Sequence, residues 1–117
     1  MANIKVTLDA TGKLLNVDDK DHEVKQDPYK QTITWVLHGV LKQGNFVGFS
    51  WGDYPSPRPF GTPDLGNGKS LSIDDTHTNT KTGGRWVYVL LVNYQGTVYS
   101  TVLSSLIKTT DPVIINR

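Results

Sequence analysis

The sequence of 117 residues contains no cysteine, and its single methionine is Met1. Without cysteine, the chain cannot form disulfides, hold an iron–sulfur cluster, bind zinc through thiolates or use a cysteine nucleophile. A cysteine-free chain is typical of a reducing compartment, so we expect a cytoplasmic protein.

Long hydrophobic runs are also missing. No segment approaches the roughly 20 consecutive apolar residues that a membrane span needs. The first nine residues alternate apolar and polar types, with Ile4, Val6 and Leu8 on one face, and do not resemble the apolar part of a signal peptide. We therefore expect a strand here and no membrane partner.

The net charge is only +1, and lysine and arginine are scattered along the chain. Nucleic-acid-binding proteins usually carry a basic stripe, often with aromatic residues set among the charges, and none is present. The sequence therefore predicts no nucleic-acid partner. Another protein, a second copy of the chain or a small ligand such as a carbohydrate is the expected partner.

Motifs for catalysis or metal binding are absent as well. His22, His38 and His77 show no H-x-H or H-x-x-x-H spacing. Asp74 and Asp75 beside His77 offer metal-ligand atoms, but we interpret them as a solvated surface turn. No Gly-x-Ser-x-Gly elbow and no phosphate-binding loop occur. We predict no catalytic residue, no metal and no cofactor, and hence a protein that is not an enzyme.

What the sequence does contain is β-strand patterning. In Thr32–Leu37, Ile33, Trp35 and Leu37 fall on one face, and Gly84–Val89 opens a long run of β-branched, aromatic and aliphatic residues. Short strands separated by turn residues are typical of β-sandwiches. We predict one all-β domain over residues 1–117, a two-sheet antiparallel Greek-key sandwich of seven or eight strands with Trp35 and Trp86 in its core. The strand segments considered are Ile4–Leu8, Lys13–Val17, Glu23–Gln26, Gln31–Leu37, Asn45–Trp51, Ser70–Ile73, Arg85–Tyr94, Thr97–Ile107 and Val113–Ile115.

The strand Arg85–Tyr94 is apolar on both faces. Trp86, Tyr88, Leu90 and Val92 lie on one side, and Val87, Val89 and Leu91 lie on the other. A sandwich strand normally has one solvated face. The second face is therefore either covered by the long loop after Trp51 or forms a self-association surface made of Val87, Val89 and Leu91.

A second candidate site is the proline-rich loop that follows the strand Asn45–Trp51. Simple alternation places Val47, Phe49 and Trp51 of this strand on one face. Trp51, Tyr54, Arg58 and Phe60 are planar or amphipathic groups, and a stiff loop loses little entropy on binding. They could bind a sugar ring or a partner protein. Alternatively, Trp51 and Phe60 fold back and close the end of the sandwich.

The Thr-Ile-Thr-Trp-Val-Leu strand and the later Gly84-Arg85-Trp86-Val87-Tyr88 resemble strands of cupredoxin and immunoglobulin-like sandwiches. The cupredoxin resemblance implies a copper-ligating cysteine near Leu90. A blue-copper site also needs two histidines and a soft axial ligand. Because the chain has no cysteine, type 1 copper chemistry is excluded even if the topology is cupredoxin-like.

The whole chain also resembles a small uncharacterised bacterial family known as DP-EP. The resemblance lies in the Trp35 strand, the Phe46–Trp51 strand and the ending Thr110-Asp111-Pro112-Val113-Ile114-Ile115-Asn116-Arg117. It implies a bacterial source and brings no activity, cofactor or site residue with it.

Overall fold

The computed structural model describes residues 3–10, 12–51, 60–66, 68–78, 83–101 and 112–117. Within these ranges the chain is nearly all β, as predicted, with nine strands, one or two more than expected, and one 3-10 helix at Gly39–Gln43. In this part of the chain, no helix has the length and apolar character needed to cross a membrane. The strands are β1 Asn3–Leu8, β2 Leu15–Val17, β3 Asp21–Val24, β4 Gln31–Leu37, β5 Asn45–Trp51, β6 Ser70–Asp75, β7 Gly84–Tyr94, β8 Thr97–Ser100 and β9 Val113–Asn116.

The strands form two sheets, and both sheets are mixed. The first sheet has the order β2-β1-β4-β6, and the second has the order β3-β9-β7-β5, with β8 also paired to β7. β1 runs parallel to β4, and β3 runs parallel to β9, so the prediction of purely antiparallel sheets is wrong for these two pairs. The reason is that the chain repeatedly crosses from one sheet to the other. The strands of each parallel pair are far apart in the sequence, since β2 and β3 lie between β1 and β4, and five strands lie between β3 and β9. Only a tight hairpin forces antiparallel pairing.

The long strand β7 organises the second sheet because it has partners on both edges. β5 lies along one edge, while β9 and β8 follow one another along the other. The backbone N–H groups of Tyr88 and Leu90 point to this second edge, where they donate to the Pro112 carbonyl and the Thr101 hydroxyl at 3.1 and 3.3 Å. β7 thus carries side chains from one end of the sandwich to the other.

The core lies between the two sheets. Its centre is Trp35 on β4, whose indole N–H donates to the Tyr88 hydroxyl on β7 at 3.0 Å. The Trp35 and Tyr88 rings meet edge to face at 5.1 Å, and Phe49 stacks on Tyr88 at 5.5 Å. The prediction that Trp35 is buried is confirmed. Trp86 is half-buried instead, because it lies near the start of β7, beyond the core cluster.

The strand β5 departs from simple alternation. Its register with β7 shifts between Phe46 and Gly48, so Val47 is an additional residue at a β-bulge. As a result Phe46, Phe49 and Trp51 all pack on the core, whereas Val47 is 49% exposed. The expectation that Val47 shares a face with Phe49 and Trp51 is wrong, because the bulge reverses the alternation after Phe46.

Candidate functional site

The predicted self-association face lies on the outer side of the second sheet. Because Tyr88, Leu90 and Val92 of β7 point into the core, the residues between them point outward. Val87 is nonetheless buried, whereas Val89 and Leu91 are half-buried. Val89 and Leu91 are therefore the accessible part of the predicted face.

Two exposed valines extend this accessible part across neighbouring strands. Val47 at the β5 bulge is 49% exposed, and Val98 on β8 is 58% exposed. The register places Gly48 beside Leu91, and a Cβ atom at Gly48 would lie 3.0 Å from Leu91 Cδ1, so the Leu91 side chain packs against the glycine. We call Val47, Val89, Leu91 and Val98 the outer patch.

The neighbours of the outer patch are small and uncharged. In the described part of the sheet, Ser50 pairs with Val89, Ser100 pairs with Leu91, and Val98 pairs with Asn93. None of the residues in these rows carries a charge. The centres of protein interfaces are likewise depleted in charged residues.

The aromatic residues that flank the proline-rich loop pack against one another. The rings of Trp51 and Phe60 lie 4.5 Å apart, Phe60 meets Trp86 edge to face at 5.0 Å, and Trp51 meets Phe49 at 4.9 Å. The indole of Trp86 in turn lies over Gly84, where any Cβ atom would come within 2.9 Å of it. Trp51, Phe60 and Trp86 are all half-buried, so the cluster joins the core to the surface.

The candidate binding loop is therefore only partly placed. Trp51 and Phe60 are brought together, while Tyr54 and Arg58 lie outside the described residues. Trp86, which the sequence assigned to the core, is the residue that completes the aromatic cluster.

A buried polar cluster lies near one end of the sandwich. Asp75, His77 and Asn116 are all buried, and Asp75 has no exposed surface at all. The Asn116 amide donates to Asp75 Oδ1 at 3.1 Å, and His77 Nε2 lies 2.5 Å from the Arg117 carbonyl oxygen. The interpretation of Asp75 and His77 as surface turn residues is wrong, because β6 continues to Asp75 and its alternation turns this side chain inward.

The burial of Asp75 changes its acidity. Desolvation raises the pKa of the Asp75 carboxyl, and the Asn116 amide and the nearby His77 and His22 only partly oppose this. Within the described residues Asp75 Oδ2 has no hydrogen-bond partner. The neighbouring Asp74 behaves in the opposite way, because hydrogen bonds from Thr32 and Lys30 lower its pKa. Among the described residues no group of three or more histidines and carboxylates is placed to hold a metal ion.

A cleft of 480 Å³ opens close to this cluster, between β3 of the second sheet and β4 of the first. The connection between β3 and β4 forms one wall, and its Asp27 N–H donates to the His77 carbonyl at 3.0 Å. No site was predicted in this connection from the sequence. The lining residues are His22, Glu23, Val24, Asp27, Lys30, Gln31, Thr32 and Ile33.

No protein-family model matches this chain, and no curated protein matches its sequence. Its function is therefore inferred from the geometry of these surfaces.

Proposed function

We propose that this chain is a non-enzymatic β-sandwich module that works in the cytoplasm and binds a second copy of itself through the outer patch. The observation that carries the proposal is that two exposed valines, Val47 and Val98, lie on the strands that flank the half-buried Val89 and Leu91. The cysteine-free composition supports a reducing location.

The shape and chemistry of the outer patch favour a copy of the same surface. In a two-fold dimer each patch meets its own twin, so a charge in the patch would face a like charge nearby. The rows that contain Val89, Leu91 and Asn93 carry no charge, which removes this repulsion. Burial of apolar side chains then supplies the free energy of association.

The test is the mass of the protein in solution, measured by sedimentation equilibrium over a range of concentrations. We expect the wild type to form a dimer and Val98→Lys to remain a monomer, because the lysine would place a charge in the apolar patch, close to the patch of the second copy and its own lysine. Val40→Lys is the matched control, since Val40 is also exposed, at 54%, but lies on the 3-10 helix next to the first sheet. A monomeric wild type at the highest concentration, or equal dissociation of both variants, would overturn the proposal.

The finer fold assignment is also a proposal. We infer a cupredoxin-like strand order rather than an immunoglobulin-like one. Immunoglobulin sandwiches are built from antiparallel sheets, and the parallel pairs β1–β4 and β3–β9 therefore favour the cupredoxin type. The Greek-key description and the resemblance to the DP-EP family stay predictions.

A second candidate function is carbohydrate or small-ligand binding at Trp51, Tyr54, Arg58 and Phe60. Its support is the pair of partly exposed rings at Trp51 and Phe60. Loss of sugar binding in a folded Trp51→Ala variant would favour this site. Amide NMR shifts centred on Trp51 and Phe60 would distinguish it from other sites on the protein.

A further inference from the structure

We infer that the cleft between β3 and β4 binds a neutral polyhydroxylated ligand, such as a hexose unit of a carbohydrate. This site is separate from the outer patch and from the aromatic cluster around Trp51 and Phe60, and it does not depend on either.

The cleft has the size and the support of a small-molecule site. Its volume of 480 Å³ falls in the range of known ligand pockets, roughly 300–1,000 Å³. Val24 and Ile33 are buried core residues from two different sheets, so the lining is anchored on rigid strands. A rigid site loses little conformational entropy when a ligand binds.

Two of the charged side chains that line the cleft already have partners of opposite charge within the protein. Lys30 pairs with Asp74 at 3.3 Å, and Glu23 pairs with Arg117. Since these side chains already have partners of opposite charge, a charged ligand would have to compete with existing ion pairs. A neutral ligand that exchanges hydrogen bonds does not meet this competition.

The polar groups of the lining suit hydroxyl groups. Gln31 donates its Nε2 to the Lys25 carbonyl at 2.7 Å, which holds its amide in place, and amide oxygens accept hydrogen bonds from hydroxyls. The Asp27 carboxylate and the Lys30 ammonium add an acceptor and a donor. A ligand with several hydroxyls can both donate to and accept from this set.

Tyr29 lies in the chain between Asp27 and Lys30, and both of these residues line the cleft. Its side chain is 78% exposed, and in the proposed complex the ring covers the ligand from the rim of the cleft. Its backbone N–H donates to Asp27 Oδ1 at 3.0 Å, which fixes the turn that presents the ring. The face of an aromatic ring matches the C–H face of a hexose, while the phenol hydroxyl stays in water.

The test is a titration of ¹⁵N-labelled protein, followed by amide NMR shifts, with D-glucose, cellohexaose, maltohexaose and, as a cationic probe, spermidine. We expect at least one of the sugars to give saturable shifts at the amides of residues 27–33. Tyr29→Ala should weaken binding about tenfold, which corresponds to about 1.4 kcal/mol. Tyr29→Trp keeps the ring face and should retain binding, and Val40→Ala is the control at a distant exposed site.

Each alternative outcome would overturn the inference. These outcomes are the absence of saturable shifts with every sugar, saturable binding of spermidine alone, and shifts centred on Trp51 and Phe60 that disappear in Trp51→Ala. Unfolding of Tyr29→Ala is not expected because the side chain is largely exposed, and Gln31→Ala provides a second variant. Val98→Lys should bind sugar like the wild type, so failure of the dimer proposal and failure of this inference are separable.

Discussion

At the scale of single residues, one hydrogen bond between two aromatic side chains joins the sheets. The Trp35 indole and the Tyr88 hydroxyl are both fully buried, and they lie 3.0 Å apart. Burial raises the pKa of the Tyr88 hydroxyl further above its ordinary value, so this group is neutral at physiological pH, and its oxygen accepts the indole hydrogen bond. The pair is costly to break because neither group can reach water.

We predict that Tyr88→Phe lowers the free energy of unfolding by about 1–3 kcal/mol, since it leaves the indole N–H buried without an acceptor. Trp35→Phe removes the same hydrogen bond and also creates a cavity. Because the hydrogen bond can be lost only once, the double variant should lose less stability than the sum of the two single variants. Urea denaturation measures all three, with Tyr94→Phe, a half-buried tyrosine of the same strand, as the control. Strictly additive losses would show that the hydrogen bond contributes nothing.

At the scale of secondary-structure elements, β9 is the strand whose two neighbours were hardest to foresee. Ile114 lies between His22 of β3 and Trp86 of β7 and is completely buried, whereas the next residue, Ile115, is half-buried on the opposite face. We predict that Ile114→Ala costs about 2–5 kcal/mol of unfolding free energy, as expected for a core isoleucine, and that Ile115→Ala costs clearly less. Thermal or urea unfolding of the two variants measures both losses. A larger loss for Ile115→Ala would mean that β9 is shifted by one residue.

The strands themselves were largely predictable because alternation is a local property. Gln31–Leu37 and Asn45–Trp51 begin and end at the predicted residues, and the strand predicted over Arg85–Tyr94 begins only one residue earlier, at Gly84. Their partners were not predictable, because pairing depends on how the chain crosses between sheets. The bulge at Val47 had only one local signal, the glycine that follows it inside a strand.

The candidate sites, like the strands, were predictable only where the signal was local in the sequence. The alternation of Leu71, Ile73 and Asp75 was visible in the sequence, and extending the strand by two residues would have indicated a buried carboxyl. Its partner Asn116 lies 41 positions away along the chain, so nothing local could identify it. The residues of the cleft are close in sequence, but they form a cleft only because the chain changes sheets between β3 and β4.

At the scale of the whole molecule, two adjacent carboxyl groups make stability depend on pH in opposite directions. The pKa of Asp75 is raised from its ordinary 3.8, mainly by desolvation, and that of Asp74 is lowered from the same value, mainly by the Thr32 hydroxyl. A raised pKa means that the folded protein binds the proton more tightly than the unfolded chain. The stability that protonated Asp75 contributes is thus complete below pH 3.8 and is lost as the pH rises through its raised pKa. Asp74 contributes above its ordinary pKa and loses this contribution as the pH falls.

We predict that the wild type loses stability relative to Asp75→Asn as the pH rises from 3.8 through the raised pKa of Asp75. The asparagine cannot ionise, so the variant lacks this loss, whereas Asp74, His77 and His22 are present in both proteins and largely cancel in the comparison. Urea unfolding at a series of pH values gives the difference directly. Asp74→Asn is the matched control and should show the opposite trend. The wild type should lose stability relative to this variant as the pH falls below 3.8. A difference between wild type and Asp75→Asn that stays constant with pH would mean that the Asp75 carboxyl has the same pKa in the folded and unfolded chains, and hence that the polar cluster is open to water.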